Sequence, residues 1–297
     1  MIQRSRNALA VLILLFCSTA CSPDRGAGLE RAAAEREAAF AERVSEARAA
    51  GEADTPVARW ELPGPLGEVS GLALTPDDRL FAHGDETGDL FEIDYRSGVV
   101  VKRFSLGPDE VTADFEALAI RDSTFWLLTS KGRLYEFTEG RNGERVAYRT
   151  AEPPLGRDCQ EYEGLAVAGD ELVFACKKAR KAFGGDLHLY RWTVGSRSVE
   201  RVDIPMDSIR ARGPGWDEFS ASDIARRGDT GNYVLVAGPE RGYLEVTPDG
   251  RIVLARALPA DHGQPEGIAW TSDGELLIAD EVTGRSAALT VYPEPFR

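Results

Sequence analysis

Three glutamates occupy the same place in three similar stretches of sequence. They are Glu116 in Glu116-Ala117-Leu118-Ala119-Ile120, Glu163 in Glu163-Gly164-Leu165-Ala166-Val167 and Glu266 in Glu266-Gly267-Ile268-Ala269-Trp270. Two more stretches, Ser70-Gly71-Leu72-Ala73-Leu74 and Ser222-Asp223-Ile224-Ala225-Arg226, carry serine there. Set around one axis, the three carboxylates would converge and repel unless a cation neutralised them or their pKa values rose. Calcium suits such a place because it accepts several hard oxygen ligands in loose geometry. Glu116, Glu163 and Glu266 are therefore read as metal ligands, with Ser70 and Ser222 assisting directly or through water. The alternative for each glutamate is a hydrogen bond to the backbone of a neighbouring segment; three in register favour the ion.

A second polar set follows one strand later: Asp85-Glu86, Glu240 and Asp280-Glu281, with Ser130-Lys131 and Lys177-Lys178 in the remaining units. Asp85, Glu86, Glu240 and Glu281, together with Asp223, are further candidates for contact with a small polar ligand. The alternative is a solvated rim whose opposite charges partly offset each other and contribute little.

The elements that must position these residues are short apolar runs punctuated by Gly, Pro and Asp, which is a strand signature. The five stretches recur at intervals of 46, 47, 59 and 44 residues. Each heads a series: a turn, a second strand such as Phe125-Trp126-Leu127-Leu128, a glycine turn (Gly88, Gly132, Gly184-Gly185, Gly242, Gly284) and a third strand such as Leu90-Phe91-Glu92-Ile93. Fourth strands follow in four units, for example Val99 to Leu106. The last unit runs out of chain, and Val57 to Leu62, ahead of the first unit, can supply its missing strand. Such closure leaves no open sheet edge. The expected fold is all-β, a five-bladed β-propeller over residues 57–297. The alternative is a six-bladed ring, but a sixth blade needs ~40 residues, and the longest interval has only about a dozen to spare. Asp223 and Arg226 make the fourth unit the one that departs most from the pattern.

Of four cysteines, Cys17 would leave with a signal peptide and Cys21 is a candidate lipidation site. Cys159 and Cys176 remain, flanking the hairpin that carries Glu163. In an oxidising compartment they would form a disulfide; the alternative is two free thiols. No nucleophile elbow, phosphate-binding Gly-rich loop or His-Glu-x-x-His motif is present. His188 alternates within a strand, while His83 and His262 fall near blade ends. No histidine has zinc-ligand spacing to a cysteine pair.

Arg4 and Arg6, the apolar run Ala8 to Phe16 and the small residues Ser18-Thr19-Ala20 read as a signal peptide over residues 1–20. Cys21 after Ala20 resembles the lipobox of bacterial lipoproteins, although Ser18 stands where leucine is usual. The expected product is an exported lipoprotein facing the periplasm, with Ser22 favouring the outer membrane; the alternative is a soluble periplasmic protein. Residues 21–56 read as the anchor cysteine and a helical spacer. Leu29, Ala33, Phe40, Val44 and Ala47 mark one narrow face, interrupted at Arg36 and Glu37. A solvated stalk is expected, a docking or coiled-coil helix being the alternative. The net charge of −14 and the absence of a basic stripe exclude a nucleic-acid partner from the expectations.

Asp114-Phe115-Glu116-Ala117-Leu118, Cys159 through Tyr162-Glu163-Gly164-Leu165-Ala166, Ala175-Cys176-Lys177 and Pro265-Glu266-Gly267-Ile268-Ala269 resemble, in order and spacing, the SdiA-regulated domain family of bacterial envelope proteins. The resemblance covers about residues 57–297. It implies a five-bladed propeller with calcium at its axis, distantly similar to NHL-repeat and gluconolactonase-type propellers, and no assigned reaction. The expected function is a calcium-binding envelope lipoprotein whose propeller binds a small polar ligand or an envelope protein. The alternative is a metal-dependent hydrolase of lactonase or esterase type, using the axial ion to polarise a carbonyl.

Overall fold

A computed structural model describes residues 23–180 and 185–296. The expected signal peptide (residues 1–20), Cys21, Ser22 and Gly184 lie outside them.

The alternating runs become five antiparallel sheets arranged as a five-bladed propeller. Strand β1 (Ala58–Glu61) precedes blade one, which contains β2 (Val69–Leu74), β3 (Leu80–Gly84), β4 (Asp89–Asp94) and β5 (Val99–Leu106). Blade two contains β6 (Phe115–Arg121), β7 (Thr124–Thr129), β8 (Leu134–Thr138) and β10 (Tyr148–Ala151), while the short β9 (Arg145–Val146) joins β5 in parallel. Blade three is built from β11 (Cys159–Ala168), β12 (Glu171–Ala179), β13 (Leu187–Thr193) and β14 (Glu200–Ile204). Blade four has β15 (Ala221–Arg226), β16 (Tyr233–Ala237), β17 (Gly242–Val246) and β18 (Ile252–Ala257); blade five has β19 (Pro265–Trp270), β20 (Leu276–Asp280) and β21 (Ala288–Tyr292). The ring closes as the sequence predicts: β1 pairs with β21, Ala58 opposite Val291 through Glu61 opposite Ala288.

Burial follows from this arrangement. Five apolar clusters fill the five seams between blades. At the first seam Phe81 meets Phe125 edge to face at 5.1 Å, with Phe104 and Phe137 beside them. The innermost strands approach so closely that glycine is required. A Cβ at Gly164 would lie 2.9 Å from Ile224 Cγ2, and one at Gly267 would lie 2.8 Å from Leu72 Cγ. The surplus residues between units three and four form helix α2 (Met206–Arg212) and a loop. Met206, Ile209 and Phe219 from this insert are buried in the seam between blades three and four.

The long N-terminal helix α1 (Pro23–Ala50) corrects the expectation of a solvated stalk. Ala33 is exposed, but Phe40, Val44 and Ala47 are buried against the turns of blades five and one. Phe40 stands edge-on to Tyr95 at 6.0 Å, and Arg48 donates to the Pro293 and Asp273 carbonyls at 2.7 and 2.8 Å. These turns lie on the face opposite the starts of the innermost strands. The last three turns of α1 thus belong to the propeller core.

Cys159 and Cys176 are bonded, their Cα atoms 5.9 Å apart, across the β11–β12 hairpin. In the loop-entropy picture a closure of 17 residues contributes about 3 kcal/mol. Cys159→Ser with Cys176→Ser is expected to lower the unfolding free energy, read from the urea midpoint, by an amount of that order. An unchanged midpoint would show that the hairpin is held by its strand pairing alone.

Candidate functional site at the axial mouth

Each innermost strand breaks register at the same place. Pairing skips from Val69 to Gly71, Phe115 to Ala117, Tyr162 to Gly164, Ala221 to Asp223 and Pro265 to Gly267. The unpaired residues are Ser70, Glu116, Glu163, Ser222 and Glu266, the five register positions of the repeat. A β-bulge bends its strand and re-aims the extra side chain. Five equivalent bulges therefore turn these side chains to one end of the axis.

The structure brings the three glutamates into one electrostatic group. Ser70 Oγ donates to Glu116 Oε2 at 3.3 Å. Ser222 bonds to Glu266 and accepts the Gly238 N–H at 2.9 Å. Lys177, from the end of β12, places its ammonium on Glu163 and lies within the field of Glu266, Glu116 and Glu281. Gln264 Nε2 donates to Glu266 Oε1 at 3.1 Å and also to Glu281.

Acid outweighs base here, and the pKa values record it. Burial, then the charges of Glu163 and Asp114, push Glu116 up to about 9. Burial pushes Glu163 up to about 7 against the opposing pull of Lys177. Glu281 is likewise pushed up to about 7 by burial and by Glu266. Glu266 and Asp85 are raised too, burial being the main cause in each. Burial works to lower Lys177, but the glutamates outweigh it and hold the ammonium above its ordinary value.

The second polar set divides. Asp85 and Glu281 border the group, whereas Glu86 is exposed and acts only through its charge on Asp85. Glu240 is fastened elsewhere, accepting the Ser220 N–H at 3.0 Å and its hydroxyl at 3.2 Å. Asp223 is corrected as a mouth candidate because it is fully buried on the axis. Its carboxylate accepts the Ile224 N–H at 2.8 Å and the Ile268 N–H at 2.9 Å, and the amides of Leu72 and Leu165 also donate to it. It thereby ties together inner strands of blades one, three, four and five. Burial pushes its pKa well up while these donors pull it down. On the far face the axis opens into an apolar pocket of about 140 Å³ lined by residues including Leu74, Ile120, Val167 and Trp270.

The histidines near the blade ends, His83 and His262, are buried rather than open at the mouth, although His83 lies against Gly71, next to Ser70. His83 is enclosed, its Nδ1 facing the Gly84 carbonyl at 2.9 Å. His262 is buried between Asp280 and the Tyr292 hydroxyl, each at 2.7 Å. His188 meets Asp203 at 2.7 Å within blade three.

Sequence reasoning put Lys177 on the rim rather than at the centre, and it missed Asp114 and Gln264. These last two sit two residues before Glu116 and Glu266, as Glu68 does before Ser70. The strand alternation that groups i with i−2 was the available signal.

The donor chemistry suits a hard cation, since carboxylate and hydroxyl oxygens predominate. The arrangement as it stands already holds a cation of the protein's own. The Lys177 ammonium stands among the carboxylates, and no three His, Cys, Asp or Glu side chains among the described residues are gathered to hold a metal ion.

Fold and site together define a β-propeller protein with an acidic axial mouth. No family model and no curated protein matches the chain. The solved structures it is similar to include β-propeller proteins. Glutaminyl cyclase of Myxococcus xanthus shares 15% identity at a TM-score of 0.56, covering 80% of this chain and 94% of that one. A luciferin-regenerating enzyme shares 7% identity at a TM-score of 0.52, covering 80% and 95%. At these identities the likeness is one of fold.

Proposed function

We propose that this chain is an exported, lipid-anchored envelope propeller of the SdiA-regulated kind whose axial mouth binds a cationic ligand. One observation carries the reading: five equivalent bulges aim five polar side chains, three of them glutamates, at a point where the protein's own ammonium sits. A site built to hold one cation is a site for which an external cation can compete. Calcium enters as the ion that would displace Lys177 and take oxygens from Glu116, Glu163 and Glu266. Anchorage through Cys21 would keep the domain at the membrane. The hydrolase reading has no comparable support, because all three histidines are buried and none is open to a substrate at the mouth.

Thermal unfolding of the purified protein in calcium, in magnesium and in excess chelator tests this. An ion at ~100 times its dissociation constant stabilises a fold by about 2.7 kcal/mol. Calcium is expected to raise the midpoint, and Glu163→Gln and Glu266→Gln to abolish that response. A midpoint indifferent to both ions, in the parent and in Lys177→Met alike, would leave the mouth a closed internal ion pair and remove the cation-binding reading.

A further inference from the structure

A second cavity lies at the seam between blades two and three, on the same face as the mouth. Its volume is about 800 Å³, within the range of small-molecule sites. The walls come from the β7–β8 turn, the loop preceding β11, the start of β11 and the end of β12. Asp114 lines it and also raises the pKa of Glu116, so the cavity and the mouth share a wall.

Its charge is opposite to that of the mouth. Lys131, Arg133, Arg157 and Arg180 line it against only Asp114 and Glu152. Arg133 is engaged by Glu152 at 2.8 Å. The other three have no carboxylate partner among the described residues: Lys131 donates only to the Gln160 carbonyl, at 3.3 Å, and the Arg157 and Arg180 side chains make no ion pair. The chain carries 49 acidic and 35 Lys or Arg residues. Elsewhere Arg79, Arg191, Arg201 and Arg227 sit on carboxylates, while Arg121 and Arg145 donate to backbone carbonyls; here three such cations share one cavity. In so acidic a protein, three cations lining one cavity, none of them paired with a carboxylate, are not explained by surface neutralisation.

The walls are also held in place. The Tyr162 hydroxyl donates to the Gly156 carbonyl at 3.2 Å, next to Arg157. Cys159, in the wall, is tied to β12 by the disulfide. Gly132 takes φ +86°, and a Cβ there would lie 2.9 Å from Leu155 Cδ1, so turn and loop are in close contact. Guanidinium forks and an ammonium facing a fixed cavity match the oxygens of a carboxylate or phosphate.

We propose that this seam cavity is a binding site for an anionic group, a carboxylate or phosphate, of a small ligand, with Lys131, Arg157 and Arg180 as its contacts. It uses none of the register residues and does not depend on a cation at the axis.

Calorimetric titration of the purified protein with inorganic phosphate and with glutarate, at constant ionic strength set by sodium chloride, tests it. At least one probe is expected to bind, and which one does so distinguishes a phosphoryl from a carboxylate ligand. Arg157→Gln with Arg180→Gln is expected to weaken that binding about tenfold or more, as loss of charge-assisted hydrogen bonds does. Lys131→Gln should weaken it as well. Lys178→Gln, at a lysine 3.9 Å from Glu161 and outside the cavity, should leave it unchanged. Binding lost in Lys177→Met but kept in the arginine double variant would assign the anion to the mouth and overturn the proposal. So would the absence of any heat beyond the chloride control with both probes.

Discussion

Asp223→Ala is expected to lower the stability of the propeller by about 3–5 kcal/mol, the loss from leaving two or more buried amide donors unsatisfied. Alanine or glycine stands at the equivalent position in every other blade: Gly71, Ala117, Gly164 and Gly267. The backbone there accepts a small residue, so strain is not the source of the loss. The source is the carboxylate, which accepts the N–H groups of Ile224 and Ile268 and is faced by those of Leu72 and Leu165. Each buried donor left unsatisfied costs about 1–3 kcal/mol. For a domain of this size each kcal/mol lowers the unfolding midpoint by roughly 2–4 °C, so a fall of about 10 °C or more is expected in a thermal melt. Asp223→Asn keeps one oxygen but turns an NH2 toward amide donors, and is expected to fall between parent and alanine. A parent-like melt for Asp223→Ala would mean that water or a shift of the inner strands satisfies these amides.

The same residue shows where sequence reading reached and where it stopped. The repeat spacing revealed five blades and the closing strand, because period-two alternation and turn residues are local properties. The register position of Glu116, Glu163 and Glu266 was legible for the same reason. Asp223 stood out only as a break in the repeat, because its partners are backbone amides of three other blades, which no side-chain pattern marks. Lys177 was visible as a charge next to Cys176, but its long side chain reaches glutamates supplied by blades two and five as well as its own. Convergence of that kind exists only in the closed ring. For α1, the spacing of Phe40, Val44 and Ala47 marked a narrow apolar face, while its receptor is assembled from Tyr95, Pro293 and Glu275, far apart in sequence. The five bulges were hidden because a bulge adds one residue without disturbing composition.

Lys177→Met is expected to produce the largest pH-dependent change. The parent protein is itself expected to become less stable as pH rises. Glu116, near 9, and Glu163 and Glu281, near 7, hold protons more tightly when folded than the ordinary carboxyl value of 4.5. A carboxyl raised in this way contributes its stability below the unfolded value, and that contribution is lost as pH rises through the folded value. The parent midpoint should therefore fall between about pH 5 and pH 9. Removing Lys177 deletes the ammonium that opposes this trend at Glu163, Glu266, Glu116 and Glu281. Near pH 5 the folded carboxyls are largely protonated, and methionine, an unbranched side chain, should be tolerated at a cost of about 1 kcal/mol. At pH 8.5 the same variant must ionise crowded carboxylates or carry extra protons, and the loss should approach the 3–5 kcal/mol typical of a broken buried pair. Thermal melts of parent and variant at both pH values measure the difference directly. Calcium added at pH 8.5 then separates two accounts of the mouth. If it restores the variant more than it stabilises the parent, the ammonium and the ion compete for one place, as the arrangement of Glu163 and Lys177 implies. If the variant loses as much at pH 5 as at pH 8.5, Lys177 acts through packing, and the mouth has no unsatisfied charge for a cation to meet.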